Sequence, residues 1–306
     1  MPPAENTTEN TAQNATENAT GNATGSTVAN RVCLVTGASS GFGQHLTHQL
    51  LNKGALVAGT FRQADQAEAF TALAPGRSLG VVMDVTDGAA VARGVQQVAS
   101  QLGPVDALLN NAGYGVAGAI EETSAEQARG LFDVHLFGGL SLIQQVLPSM
   151  RERGAGRILQ FSGIGGFVGF PGLGVYSAAK AAADVLGEAL AAEVAPLGVK
   201  VTVLTIGAFH TEFAGKGLRH AEPEIDAYAK TPAGRFRKFI ARVQGKQPNH
   251  VAKGAAAIIN LLEADNPPVH AALGADALKG MRTKMKHVQE QLAAWEDNAN
   301  STAKDD

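Results

Sequence analysis

From Arg31 onward, short apolar runs of β type alternate with longer stretches whose apolar residues recur at helical spacing. The runs at 31–36, 55–61, 79–83, 105–109, 156–161, 199–206 and 268–273 predict seven strands. Helices are expected near 42–53, 64–74, 87–102, 125–152, 175–196, 249–264 and 276–297. Strands separated by helices form a parallel sheet covered on both faces, so the expected fold class is α/β, with one doubly wound parallel seven-stranded sheet in a single domain. In that architecture ligands collect at the carboxyl ends of the strands, where strand order reverses.

The first 28 residues break the pattern. From Glu5 a four-residue unit recurs (ENTT, ENTA, QNAT, ENAT, GNAT) with almost nothing apolar larger than alanine. Such a segment cannot offset its ordering entropy, so 1–28 is expected to be a disordered Asn/Thr-rich tail. The folded domain is placed at 29–297, and 298–306 reads as a polar C-terminal tail. Asn6, Asn14, Asn18 and Asn22 sit in N-x-T acceptor sequences, which matter only on a secreted chain. With no apolar segment before them and no arginine before Arg31, neither secretory nor mitochondrial targeting is expected.

Composition narrows the function classes. At 306 residues and 45% hydrophobic the chain can bury a sizeable core. A net charge of -3 without a dense Lys/Arg cluster lacks the electrostatic footprint of a nucleic-acid binder. Glycines, alanines and charges interrupt every apolar stretch, so no membrane span is expected. Cys33 is the sole cysteine, which rules out an internal disulfide and a thiolate metal cluster; a reducing, cytoplasmic setting and no metal site are expected.

The chemistry gathers at strand ends. Gly37-Ala38-Ser39-Ser40-Gly41-Phe42-Gly43 follows the first strand and opens the first helix. Glycines there allow a tight turn and close approach to a pyrophosphate, with free helix-start amides facing its charge. The second strand ends Gly59-Thr60-Phe61-Arg62. An acid in that region binds the ribose 2′-hydroxyl of NAD; Arg62 instead suits the 2′-phosphate of NADP, so NADPH is favoured, while a solvated Arg62 with Asp65 on the ribose would leave NAD. Asp84-Val85-Thr86 ends the third strand, Asn110-Asn111-Ala112-Gly113 the fourth, and Tyr176 and Lys180 stand one helical turn apart.

In this order, T-G-x-x-x-G-x-G, D-V-T, N-N-A-G and Y-x-x-x-K resemble the motifs of the short-chain dehydrogenase/reductase family, a single-domain Rossmann fold, over roughly residues 31 to 275. The resemblance implies a nicotinamide cofactor held by Gly37, Ser39, Ser40, Gly41, Phe42, Gly43, Arg62, Asp84, Val85, Asn110, Asn111, Tyr176, Lys180, Phe209 and Thr211. It implies Tyr176 as proton donor to a carbonyl oxygen during hydride transfer, with Lys180 binding the ribose; Lys180 and the oxidised nicotinamide together would supply a field that lowers the phenol's pKa. It also implies a homodimer or homotetramer paired through the helices at 125–152 and 175–196.

Three positions depart from that pattern. The family's serine, thirteen residues before the tyrosine, falls on Gly163; Ser162 stands one place earlier and faces the opposite way along an extended segment unless the loop bulges. In Phe132-Asp133-Val134-His135-Leu136-Phe137-Gly138 the family's asparagine is His135, which either holds a water chain to Lys180 or only packs. Ile206-Gly207-Ala208-Phe209-His210-Thr211 replaces P-G-x-x-x-T, keeping Thr211 and the Phe209 amide. Residues 212–248 are the variable substrate region, in which an amphipathic helix with a basic face is expected. Two functions follow: an oxidoreductase acting on a small-molecule carbonyl or secondary alcohol, or a cofactor-binding sensor with little catalysis.

Overall fold

The computed structural model describes residues 27–304. Residues 1–26, which hold most of the expected tail, lie outside the described residues. The folded unit begins before residue 29, because Val28 is buried in the core and its amide donates to Glu263 at 3.3 Å.

Seven parallel strands form one sheet: β1 (Val32–Val35), β2 (Leu56–Phe61), β3 (Ser78–Val82), β4 (Ala107–Asn110), β6 (Gly156–Phe161), β7 (Val199–Ile206) and β9 (His270–Leu273). Their spatial order is β3-β2-β1-β4-β6-β7-β9, so the chain leaves β1 in one direction and returns to its other side at β4. The carboxyl ends of β1 and β4 flank the resulting crevice. Two short strands, β5 (Gly115–Ala117) and β8 (Leu218–His220), pair separately beyond that edge.

Side chains alternate across the sheet, as a two-residue period requires. Cys33 and Val35 of β1 point to one layer, packing with α1 (Gly41–Asn52), α2 (Ala64–Leu73) and α9 (Val251–Glu263). Val32 and Leu34 point to the other, with α3 (Gly88–Gln101), α5 (Gly139–Arg153) and α7 (Gly174–Val194). Burial pushes the Cys33 thiol up to about 12, so it stays an inert core thiol.

The helix expected at 125–152 is not uniform: α4 (Ala125–Phe132) runs through a π-helical segment, Asp133–Gly138, into α5. Contrary to the expectation that no stretch qualifies, residues 125–153 are long and apolar enough to cross a membrane by length and composition. Leu142, Ile143, Val146 and Met150 of this helix lie in the core against the sheet. After β6 comes the single turn α6 (Ile164–Phe167); α8 (Pro232–Val243) forms in the variable region. The helix expected at 276–297 is α10 (Ala275–Ala294), and Glu296–Asn300, which straddles the start of the expected polar tail at 298, forms the short α11.

Candidate active site

The glycine turn closes on itself at the carboxyl end of β1. Gly37 and Gly41 adopt φ of 67° and 54°, and a Cβ on Gly43 would lie 2.1 Å from the Gly37 carbonyl, so only glycine permits this approach. The Gly37 amide donates to Thr60 Oγ1 at 3.0 Å, tying the turn to β2. Ser40 caps α1 without a side-chain hydrogen bond, and Ser39 and Ser40 are exposed. First-turn amides left this way suit a pyrophosphate oxygen, which is the fit a dinucleotide requires.

Asn111 holds the turn from the other strand. Its Nδ2 donates to the Thr36 carbonyl at 2.8 Å, and the Asn111 and Ala112 amides donate to Thr36 Oγ1, each at 2.9 Å. Asn110 is buried and donates to Gln160 Oε1 at 2.9 Å. Both asparagine side chains are thus engaged in joining β1, β4 and β6. Asp84 accepts from the Thr86 amide and hydroxyl at 2.9 and 2.7 Å, bonds that hold its carboxyl below the usual range, with Arg62 adding to the effect. Val85 is buried, and Arg62 is exposed at the end of β2. Phe42 packs edge-on against Phe209 and Phe161, with ring centroids 4.9 and 6.2 Å apart, so its side chain serves the core. Thr211 lies against Gly41, 3.6 Å from where its Cβ would be.

Tyr176 and Lys180 project from α7 beneath the end of β6. Both are buried, and Lys180 Nζ donates to the Phe161 carbonyl at 2.8 Å. A Cβ on Gly163 would lie 3.7 Å from the Tyr176 hydroxyl and 3.5 Å from the Ile206 carbonyl. The Gly163 position therefore faces the phenol. Ser162 turns the other way: a Cβ on Gly166 would meet both Ser162 Oγ, at 2.4 Å, and Asp184 Oδ2, at 2.6 Å. The loop does not bulge, because Gly163 stays extended at φ −146° and ψ 171°. The structure thus does not bring Ser162 to Tyr176, and the one-residue shift is the reason.

His135 arrives from the π-helical segment. Its Nε2 lies 2.6 Å from the Tyr114 carbonyl, and its ring stands edge-on to Tyr176 with centroids 5.6 Å apart. A carbonyl only accepts, so Nε2 carries the proton and Nδ1 is a buried acceptor without a protein partner. Burial first, then the charge of Lys180, pushes His135 down to about 3, so the ring is neutral at working pH.

Without the cofactor's charge, burial raises the Tyr176 pKa and Asp184 raises it further; the expected lowering calls on Lys180 and the oxidised nicotinamide together. Desolvation outweighs an ammonium that is bonded to Phe161 rather than to the phenol. The same burial brings Lys180 down to about 8 and lifts Asp184 to about 6. Asp184 escaped sequence reasoning; its spacing of one turn after Lys180 was the available signal.

Glu122 also escaped it, the second of two adjacent acids in the short 3-10 turn Ile120–Glu122 with no motif around it. Its buried carboxylate accepts from the Ala119 and Ile225 amides at 2.7 and 2.8 Å and pairs with Arg237 of α8. Burial opposes its charge, but the two amides and the guanidinium outweigh that and hold its pKa low. This junction pins the variable segment over the site. There Phe213 meets Tyr176 at 5.8 Å and Arg219 lies 4.5 Å above the Tyr114 ring. Asp276 fixes the loop after β7, accepting from the Ala208 amide at 2.6 Å and from Asn249 at 2.8 Å.

Residues 31–221 match the family model described as short chain dehydrogenase. A 3-ketodihydrosphingosine reductase of Bacteroides thetaiotaomicron is 34% identical over 251 residues, covering 80% of this chain and 88% of that protein. Human 17-beta-hydroxysteroid dehydrogenase type 1 is 34% identical over 241 residues, covering 74% and 73%. The crystal structure of a short-chain dehydrogenase from Streptomyces avermitilis superposes with a TM-score of 0.83 at 39% identity, covering 89% of this chain and all of that one.

Proposed function

The chain belongs to the short-chain dehydrogenase family, and on that premise we propose that it is an NADPH-favouring oxidoreductase that interconverts a bulky, apolar ketone and its secondary alcohol. The observation that carries this reading is the placement of the Tyr176 hydroxyl. It faces the Gly163 position at the carboxyl edge of the sheet, with Lys180 one turn beyond.

The bound cofactor would supply the hydride. Burial keeps the Tyr176 phenol protonated, so it can give its proton to the carbonyl oxygen as negative charge develops there. Lys180 would exchange its bond to Phe161 for the ribose hydroxyls and hold its charge beside the phenol. Ser39, Ser40 and Gly41 would hold the pyrophosphate through backbone amides, with Gly37 shaping the turn while its own amide stays on Thr60, and Asp84 with the Val85 amide would meet the adenine. Arg62, exposed and unencumbered by an acid on its own strand, would meet the 2′-phosphate. Phe213 packs against the Tyr176 ring, and the Glu122–Arg237 junction holds the variable segment beside it, which suits an apolar substrate. The two named relatives act, by their names, on a long-chain ketone and a steroid, which favours a bulky apolar substrate here.

One observation favours a second reading as a cofactor-binding sensor: Gly163 offers no hydroxyl to the reacting oxygen. Mixing the protein with NADPH or NADH and a panel of apolar ketones, and following cofactor absorbance, separates the two. Turnover supports the oxidoreductase; cofactor binding without turnover on any of them supports the sensor.

A further inference from the structure

Beyond Met281, the last long helix carries an apolar seam that the other described residues do not cover. The foot of α10 packs on the body, with Ala277 and Met281 buried and Gly280 pressed against Ile164. From Arg282 through Asn300 every residue is exposed. At ~1.5 Å per residue this projection runs to about 20 Å within α10 alone. Leu278, Met281, Met285, Val288, Leu292 and Trp295 follow one another at intervals of 3, 4, 3, 4 and 3 residues. That is the spacing of a two-helix seam, narrower than the broad apolar face of a helix lying on lipid. Leu292 and Trp295 are 68% and 69% exposed, and a three-turn projection with no packed face is marginal in water. The seam therefore needs an occupant.

Charge identifies it. Lys279, Arg282, Lys284 and Lys286 lie in the first two-thirds of the helix, whereas Glu290, 3.9 Å from Lys286, lies in its last turns and Glu296 and Asp297 follow in α11; no Lys or Arg falls between 287 and 300. Asp276, at the foot, is already bound to Ala208 and Asn249. Two such helices side by side in parallel would set base against base. Antiparallel, each basic half faces an acidic end. A two-fold axis between Lys286 and His287 also sets Met285 opposite Val288 of the second copy, and lays the exposed Leu292 and Trp295 along its foot, where Leu278 is exposed and Met281 is already packed on the body. The seam is thus complementary to itself in the antiparallel sense alone, as a closed two-fold contact requires.

We propose that the projecting half of α10 is a self-association element, pairing antiparallel with the same helix of a second copy of this chain. This surface is separate from the helices at 125–153 and 174–194, and it does not depend on the proposed activity.

The test uses full-length protein. Cys33 is the sole cysteine and is buried, so introduced thiols report alone. Chains carrying Met285→Cys are mixed with chains carrying Val288→Cys and oxidised, and sedimentation compares the parent with Leu292→Glu/Trp295→Glu, two exposed positions whose substitution leaves the core untouched. The expected result is a mixed disulfide in clear excess over either self-disulfide, and a particle mass in the double variant half that of the parent. Predominant Met285→Cys self-disulfides would overturn the antiparallel arrangement. Unchanged mass without cross-links would overturn self-pairing altogether. Flotation of a monomeric parent, but not the variant, on phosphatidylserine vesicles would assign the seam to a lipid surface instead.

Discussion

Gly163 presents its missing side chain to the Tyr176 hydroxyl: a Cβ there would stand 3.7 Å from that oxygen, with no contact closer than 3.5 Å. The place that would hold a hydroxyl beside the reacting oxygen is therefore open and correctly aimed. Gly163→Ser fits without strain, because its φ of −146° is ordinary extended backbone. A hydrogen bond to developing alkoxide charge contributes on the order of 3 kcal/mol, so turnover should rise by roughly ten- to a hundredfold, read as kcat in steady-state kinetics. Ser162→Ala should leave kcat within about twofold and instead disturb the surroundings of Asp184. The reverse ranking would place the working hydroxyl on Ser162.

That register was legible from counting residues back from Tyr176, because an extended segment fixes which way each side chain faces. The sheet was legible for a similar reason: strands such as 156–161 and 199–206 are continuous apolar runs between helices, and the structure keeps them as β6 and β7. The π-helical turn at Asp133–Gly138 was not, since its residues suit an α-helix equally and tertiary packing selects the wider turn that carries His135 inward. Nor was the partnership of Glu122 with Arg237, which lie 115 positions apart and meet only through the fold. The burial that raises the Tyr176 pKa was not legible either, because sequence spacing carries no information on desolvation.

Arg62 decides the cofactor prediction. It is exposed at the end of β2, with Asp84 the acid that feels its charge. NADPH should bind at least about tenfold more tightly than NADH, since a 2′-phosphate gains charge-assisted bonds to a guanidinium. Arg62→Asp should reverse the order. Fluorescence titration with both cofactors checks it, and equal affinities in the parent would remove Arg62 from the site.

The junction that holds the variable segment rests on a buried carboxylate, Glu122. Arg237→Ala would leave Glu122 with two amides and no countercharge, a loss of about 3 kcal/mol or more when a buried pair is broken. Residues 212–243 should then become the first point of protease attack, and KM for an apolar ketone should rise more than kcat falls. Arg237→Met/Glu122→Gln, which removes both charges together, should recover much of the loss. No recovery would mean that the arginine acts through packing.

His135 gives the stability of the fold a pH dependence of known sign. Its folded pKa, about 3, lies below the ordinary value of ~6.5, so the unfolded chain binds more protons between those limits. Its contribution is therefore intact above pH ~6.5 and is lost as pH falls towards 3. Asp184 acts in the opposite sense: with its folded pKa raised to about 6, it weakens the fold as pH climbs from ~4 through 6. Comparing variants separates the two. His135→Asn should flatten the fall in melting temperature below pH 6, and Asp184→Asn should raise melting temperature at pH 8 while changing little at pH 4. A parent and His135→Asn that lose stability in parallel on acidification would show that the imidazole is already charged in the folded protein.

The catalytic assignment stands on Tyr176 and Lys180 failing in different ways. Tyr176→Phe removes one hydroxyl from a buried ring that still packs against His135 and Phe213, so the fold and NADPH affinity should survive. The proton donor would be gone, and kcat should drop by at least about a hundredfold, the low end of what a positioned general acid contributes. Lys180→Ala also removes the bond to the Phe161 carbonyl and the charge destined for the ribose, so cofactor affinity should weaken along with kcat. Isothermal titration with NADPH beside single-turnover kinetics distinguishes the two patterns. In the parent the kcat profile should also titrate near pH 8 if the charged lysine is the form that assists the phenol, since burial sets Lys180 there. Full activity in Tyr176→Phe on an authentic substrate would remove the phenol from the chemistry and leave the site a cofactor-binding surface, because no other hydroxyl has been placed to donate a proton at that position.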